Sequence, residues 1–224
     1  MGGYHQRNKR WIKMKLKGLY LVTPDYSGDW IINATERAIK SGVDILQYRD
    51  KTSTFRDKLA IGKKLASICH DYSVPFIVDD DPVLMDILGA DGIHIGKDDV
   101  PFDYVKSKYP DRIIGVSTYG SIEDALLYQK LGADYVAFGS FFPTKTKGDA
   151  TICDINVLKG LGPINIPIFV IGGISRENID IVLKYGISGI AVVSAIYSHN
   201  NIEEQVSYFK SKLIEYGKNV FIYL

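Results

Sequence analysis

A short mark recurs four times along this chain: a glycine, a small or apolar residue, Asp or Ser, and then an apolar run. It appears as Gly42-Val43-Asp44, Gly89-Ala90-Asp91, Gly132-Ala133-Asp134 and Gly186-Ile187-Ser188, at intervals of 47, 43 and 54 residues. Glycine can adopt the left-handed conformation that closes a helix, so each mark reads as a helix end followed by a strand start. Recurrence at this interval signals a repeated supersecondary unit.

Further apolar runs lie between the marks. In chain order the full set is Leu19–Thr23, Ile45–Tyr48, Phe76–Val78, Gly92–Ile95, Ile113–Val116, Tyr135–Phe138, Ile168–Ile171 and Gly189–Val193. Their continuous rather than alternating character suits strands buried on both faces of a parallel sheet. Helical periodicity fills the gaps, as in Ile61, Leu65, Ile68 and Tyr72, and again in Ile202, Val206, Phe209 and Leu213. Thr54 with Asp57 and Ser121 with Asp124 resemble capping boxes, and Ser175 before 176–185 is a third candidate cap. Eight strands alternating with about eight helices match a single (β/α)8 TIM barrel with parallel strands. A doubly wound open sheet competes, but it has no reason to repeat four times at near-equal intervals.

Composition sets limits on partners. Hydrophobic content is 46% and charged content 24%, as in an ordinary globular protein. The net charge of +1 offers no strong field for nucleic acid or an anionic membrane. No apolar stretch reaches the roughly 18 residues needed to span a bilayer. Cys69 and Cys153 show no metal-ligand spacing, and the four histidines form no cluster, so a reduced, cytoplasmic protein is expected. Residues 1–17 form a basic extension with no acidic residue, read as disordered. For residues 1–13 a vector remnant, an over-long start and a loose arm all stay open. The barrel is drawn over 18–218, with a tail over 219–224.

In such a barrel chemistry belongs at the C-terminal strand ends. The second strand runs into Gln47-Tyr48-Arg49-Asp50-Lys51, where alternation sends Gln47, Arg49 and Lys51 toward the mouth. The third ends in Asp79-Asp80-Asp81, and the fourth is followed by Gly96-Lys97-Asp98-Asp99. Adjacent carboxylates repel unless a cation offsets them, and two acidic clusters on neighbouring strands suit Mg²⁺. Acidic helix caps explain one cluster more easily than both. The fifth strand ends in Gly115-Val116-Ser117-Thr118, a modest hydroxyl signal. The sixth discharges into Phe142-Pro143-Thr144-Lys145-Thr146-Lys147, two hydroxyls and two ammonium groups that suit a phosphate or pyrophosphate. A solvated lysine loop is the plain alternative. The last two strands end in Ile171-Gly172-Gly173-Ile174-Ser175 and Val193-Ser194-Ala195-Ile196, where backbone N–H groups and a short helix start suit a phosphomonoester. His94 reads as a packed barrel residue.

These segments, with Tyr20-Leu21-Val22-Thr23 and 90–96, resemble the thiamine phosphate synthase family, which includes the related thiazole tautomerases. They run in the family's order over most of 18–215. The Gln-x-Arg-x-Lys and Pro-Thr-x-Thr-Lys motifs are specific; the glycine motifs recur in other phosphate-binding barrels. The resemblance implies condensation of hydroxymethylpyrimidine pyrophosphate with hydroxyethylthiazole phosphate, giving thiamine phosphate and pyrophosphate. It implies that Gln47, Tyr48, Arg49, Asp50, Lys51, Asp79, Ser117 and Lys147 hold the pyrimidine pyrophosphate, with Arg49, Lys51, Ser117 and Lys147 catalytic. It further implies Asp80 and Asp99 as Mg²⁺ ligands, and Thr144, Lys145, Thr146, Gly173, Val193 and Ser194 around the thiazole phosphate.

Two positions depart from the family. Asp79 stands where relatives carry Asn and adds negative charge beside the pyrophosphate, so altered Mg²⁺ dependence is expected. Tyr119 stands where many relatives have a histidine, the residue on which the tautomerases depend. Synthase, tautomerase and non-catalytic binder of phosphorylated precursors therefore remain three readings. The sequence is silent on oligomeric state, and a homo-oligomer stays open.

Overall fold

All four mark glycines have positive φ, at 114° for Gly42, 62° for Gly89, 90° for Gly132 and 67° for Gly186. A computed structural model describes residues 16–25, 28–144 and 151–220. Its strands are β1 (Gly18–Val22), β2 (Ile45–Tyr48), β3 (Phe76–Asp79), β4 (Gly92–Ile95), β5 (Ile113–Tyr119), β6 (Tyr135–Phe138), β7 (Ile168–Ile171) and β8 (Gly189–Val192). Each pairs in parallel with the next, and β8 returns to β1, closing the expected eight-stranded barrel.

Helices α1 (Asp29–Lys40), α2 (Phe55–Asp71), α3 (Pro82–Leu88), α4 (Phe102–Lys108) and α5 (Ile122–Leu131) follow the first five strands in turn. Beyond β6, among the described residues, stands a 3₁₀ turn at Ile155–Gly160 rather than an α-helix. Then come α6 (Ile179–Leu183), α7 (Ser194–Tyr197) and α8 (Ile202–Val220). Thr54 and Ser121 cap as expected, each accepting the N–H three residues on, from Asp57 and Asp124. Ser175 does not cap a helix over 176–185. Its N–H is donated to Asn178 Oδ1, a local turn that delays α6 to Ile179.

The Asp and Ser of the marks have a second role. Asp44 accepts the Leu19 N–H (2.7 Å), Asp91 that of Phe76 (2.8 Å), Asp134 that of Ile114 (2.9 Å) and Ser188 that of Ile168 (3.0 Å). In return their backbone N–H groups donate to Leu19, Phe76, Ile114 and Ile168 carbonyls at 2.8 to 2.9 Å. Each even strand is thus clipped at its start to the odd strand before it. Gly18 is required beside the first clip, because a Cβ there would overlap the Asp44 carboxylate.

Alternation divides the strands between two apolar layers. Leu21, Leu46, Val78 and Ile93 face the helices, whereas Tyr20, Ile45, Ile77, Tyr135 and Phe169 fill the interior. Leu16 belongs to the interior cluster, so packing begins before the boundary drawn at residue 18. Strand β5 runs three residues past the expected Val116, and a register shift against β6 between Ser117 and Tyr119 ends it. Such a bulge re-aims side chains at a barrel rim.

The clips generate a stability prediction. Asp134→Ala leaves the buried Ile114 N–H without its side-chain acceptor and should cost about 1–3 kcal/mol in urea unfolding. Asp134→Ser should cost less, since Ser188 already makes the same bond at β7.

Candidate active site

The C-terminal strand ends surround a cavity of about 440 Å³. Strand alternation carries Gln47, Arg49 and Lys51 into its wall, as expected. The ends of β3 and β4 add Asp79, Asp80, Asp98 and Asp99, and β5 adds Ser117. Thr144, Gly173, Val193 and Ser194 line another arc of the same rim. Eleven of the sixteen anticipated residues therefore share one cavity: Gln47, Arg49, Lys51, Asp79, Asp80, Asp99, Ser117, Thr144, Gly173, Val193 and Ser194. Lys145, Thr146 and Lys147 lie outside the described residues.

Tyr48 and Asp50 are not brought into this cavity. Tyr48 is an outward residue of β2, stacked near Phe76, with its hydroxyl donating to the Lys58 carbonyl. Asp50 Oδ1 accepts the N–H groups of Thr52 and Ser53, both at 3.0 Å. Burial disfavours its charge, yet these donors hold the carboxyl below the usual range. Its visible work is to shape the turn that carries Lys51. The same alternation that turns Gln47, Arg49 and Lys51 inward turns these two away.

The two cations of the wall are held by carboxylates. Arg49 Nη1 donates to Asp25 Oδ2 at 2.7 Å, and its Nε lies 3.7 Å from Asp79. Lys51 Nζ lies 3.2 Å from Asp79 and forms an ion pair with Asp80. Asp25 also accepts the Lys51 backbone N–H through Oδ1 (2.7 Å). Thr23 completes the junction: its hydroxyl donates to the Arg49 carbonyl (2.7 Å) and accepts the Arg49 N–H (2.8 Å). The end of β1 therefore templates the end of β2. Asp25 gave no signal in the sequence and Thr23 only that of a strand end in a family motif, because their partners are distant in the chain.

The acidic run separates into three roles. Asp81 caps α3, accepting the N–H groups of Val83 and Leu84. Asp80 adopts left-handed backbone (φ 57°) and meets Lys51. Asp79 is pushed above the usual carboxylate range by burial, with Asp99 adding to the rise and Lys51 and Arg49 opposing it. Asp99 Oδ2 accepts the Gly96 N–H at 2.7 Å. His94, read as a packed barrel residue, is buried but also faces the cavity and bonds Ser117 Oγ through Nε2 (2.8 Å). Its place was legible from alternation in β4, which turns Ile93 outward and His94 inward.

A closed parallel barrel with its polar cavity at the C-terminal strand ends defines the class: a (β/α)8-barrel enzyme. Comparisons with known proteins narrow the class. The family model described as thiamine monophosphate synthase matches residues 19–196. A thiamine-phosphate synthase of Picrophilus torridus is 57% identical over 200 residues, covering 89% of this chain and 98% of the relative. One from Thermoplasma acidophilum is 49% identical over 203 residues, covering 90% and 95%. The solved thiamine phosphate pyrophosphorylase of Pyrococcus furiosus superposes with a TM-score of 0.82 at 34% identity, covering 91% of this chain and 98% of that one. The chain belongs to the thiamine monophosphate synthase family.

Asp79 yields a pH prediction. A folded-state pKa above the unfolded value of about 3.9 favours folding of the protonated carboxyl, an advantage lost as pH rises through the folded value. Asp79→Asn should therefore raise Tm at pH 7, with the gain over the parent narrowing as pH falls toward about 4. A gain that widens on acidification would contradict the assignment.

Proposed function

We propose that this chain is a thiamine phosphate synthase, joining hydroxymethylpyrimidine pyrophosphate to hydroxyethylthiazole phosphate with release of pyrophosphate. The observation that carries the reading is the convergence of Arg49 and Lys51 on Asp79 in the cavity wall, within a chain of this family. In the reaction the thiazole nitrogen bonds to the methylene carbon as the bond from that carbon to the pyrophosphate oxygen breaks. The nitrogen is itself the nucleophile, so no general base is needed from the protein. What is needed is stabilisation of charge on the departing group and alignment of two ligands.

Arg49 and Lys51 are suited to the first task. Asp25 and Thr23 hold their backbone and guanidinium in place, so little reorganisation is required when negative charge develops. By family resemblance Lys147 joins them. Thr144, Gly173 and Ser194, on the arc formed by β6, β7 and β8, are suited to the thiazole phosphate. A Cβ at Gly173 would meet the Pro143 and Phe142 carbonyls, so only glycine lets that loop pack there. Ser117, inward on β5, is suited to the pyrimidine.

The donor set also fits Mg²⁺. Among the described residues the rim offers Asp79, Asp80, Asp98 and Asp99 against only Arg49 and Lys51, a surplus of acid that cannot by itself receive a pyrophosphate. Asp80 and Asp99 are hard oxygen donors on adjacent strand ends, and Mg²⁺ commonly takes one or two carboxylates with phosphate and water. Bound there, Mg²⁺ would supply the positive charge that offsets this surplus and the leaving group. No helix among the described residues is long and apolar enough to cross a membrane, and a reduced cytoplasmic setting suits Cys69 and Cys153, which are not disulfide-bonded.

Purified protein with Mg²⁺ should release pyrophosphate only when both substrates are present. Isomerisation of thiazole phosphate without release would point to the tautomerase, and binding without turnover to a non-catalytic binder. Arg49→Ala should lower the rate on the order of 10²–10³-fold. Ser194→Ala should mainly raise KM for the thiazole phosphate. Small, equal effects from both substitutions would remove these residues from the site.

A further inference from the structure

Among the described residues, a continuous line of polar groups runs into the apolar barrel interior. Ser117 Oγ lies 2.8 Å from His94 Nε2, His94 Nδ1 lies 3.0 Å from the Tyr135 hydroxyl, and that hydroxyl lies 2.7 Å from Tyr20 OH. Tyr20 and Tyr135 are buried among Ile45, Ile77 and Phe169. The chain makes space for this line: a Cβ on Gly115 would overlap the Tyr135 ring, so Gly115 and Tyr135 occur as a matched pair. A hydroxyl at the centre of an apolar core is costly unless bonded, and a phenylalanine would fill the same volume. The position of the Tyr135 hydroxyl therefore calls for a role.

The direction of the bonds decides what Ser117 can offer to a ligand. Either oxygen of the Tyr20–Tyr135 pair can donate and the His94 roles follow its tautomer, so the distances allow the line to run either way. Burial pushes both tyrosines up, so each keeps its single hydrogen. In one of the two directions Tyr20 gives its hydrogen to Tyr135, and Tyr135 gives its own to His94 Nδ1. A neutral imidazole that accepts at Nδ1 carries its proton on Nε2. That N–H is donated to Ser117 Oγ. The Ser117 hydrogen is then left to point into the cavity. A pyrimidine ring nitrogen is an acceptor, so a serine holding its hydrogen outward is complementary to it, whereas a serine donating to His94 is not.

We infer that His94, backed by Tyr135 and Tyr20, is a positioning residue that fixes Ser117 as a hydrogen-bond donor toward the pyrimidine ring. The inference rests on the proposed synthase reading for the identity of the ligand. The line of four groups stands on the structure itself. The line runs from Tyr20 through the core to Ser117, so a residue of the cavity wall is set by an internal device.

Two measurements test it. Nitrogen-15 NMR of histidine-labelled protein, with the His94 signal assigned by its loss in His94→Gln, should show a proton on Nε2 and none on Nδ1. A proton on Nδ1, with or without one on Nε2, overturns the direction. In steady-state kinetics Tyr135→Phe should raise KM for the pyrimidine pyrophosphate about fivefold to tenfold, the loss of one neutral hydrogen bond. KM for the thiazole phosphate should stay within about twofold on the same reasoning. His94→Leu should show the same split more strongly, and His94→Gln, which retains a donor near Nε2, should recover most of it. A lowered Tm with both KM values unchanged, or an equal rise in both, overturns the positioning role. Wild-type protein that carries the Nε2 proton yet releases no pyrophosphate would remove the proposed function and leave the hydrogen-bond direction intact.

Discussion

At the end of the barrel opposite the cavity, Asp44, Asp91, Asp134 and Ser188 each clip an even strand to the odd strand before it. The rest of the molecule depends on these clips, because they satisfy strand-start N–H groups that helix-covered loops would otherwise bury unpaired. They also tie register to chemistry. Side chains in a strand alternate, so a slip of one residue would turn Arg49 and Lys51 outward and Tyr48 and Asp50 inward. The first clip extends further, since Lys210 of α8 holds both Asp44 oxygens at 2.6 and 2.7 Å and thereby fastens the final helix under the barrel.

With one end pinned in this way, the other end can tolerate arrangements that cost stability. The rim crowds Asp79, Asp80, Asp98 and Asp99 around two cations, and burial opposes the ionisation of Asp79. Asp80 and Tyr119 hold left-handed backbone at φ 57° and 54°, which non-glycine residues rarely adopt. Surplus charge is gathered where ligands would act, whereas left-handed backbone is not confined there, since Ser73 before β3 also holds it at φ 55°. The interior hydrogen-bond line carries polar order from the rim into the core only where Gly115 makes room.

Much of the barrel was legible because its signals are local. The mark glycines announced helix ends, the apolar runs announced strands, and Thr54 and Ser121 announced helix starts. Errors had two sources: pairing with a neighbouring strand carried β5 past Val116, and a local Ser175–Asn178 turn delayed α6. Part of the site was legible for the same reason. Gln47, Arg49 and Lys51 share a side by alternation, and glycines near β7 marked the other arc. Tyr48 and Asp50 were included by proximity in sequence, although the same alternation removes them from the cavity.

The sequence by itself determined the number and order of the strands, the end of the barrel at which chemistry gathers, and the family. These follow from periodicity, glycine conformation and motif order, all of which act over a few residues. Only the tertiary structure decided what the mark carboxylates hold, that Asp25 and Thr23 brace Arg49, and that His94 joins Ser117 to two tyrosines. Those are contacts between strands far apart in the chain, and no local pattern specifies which side chain meets which across a closed barrel.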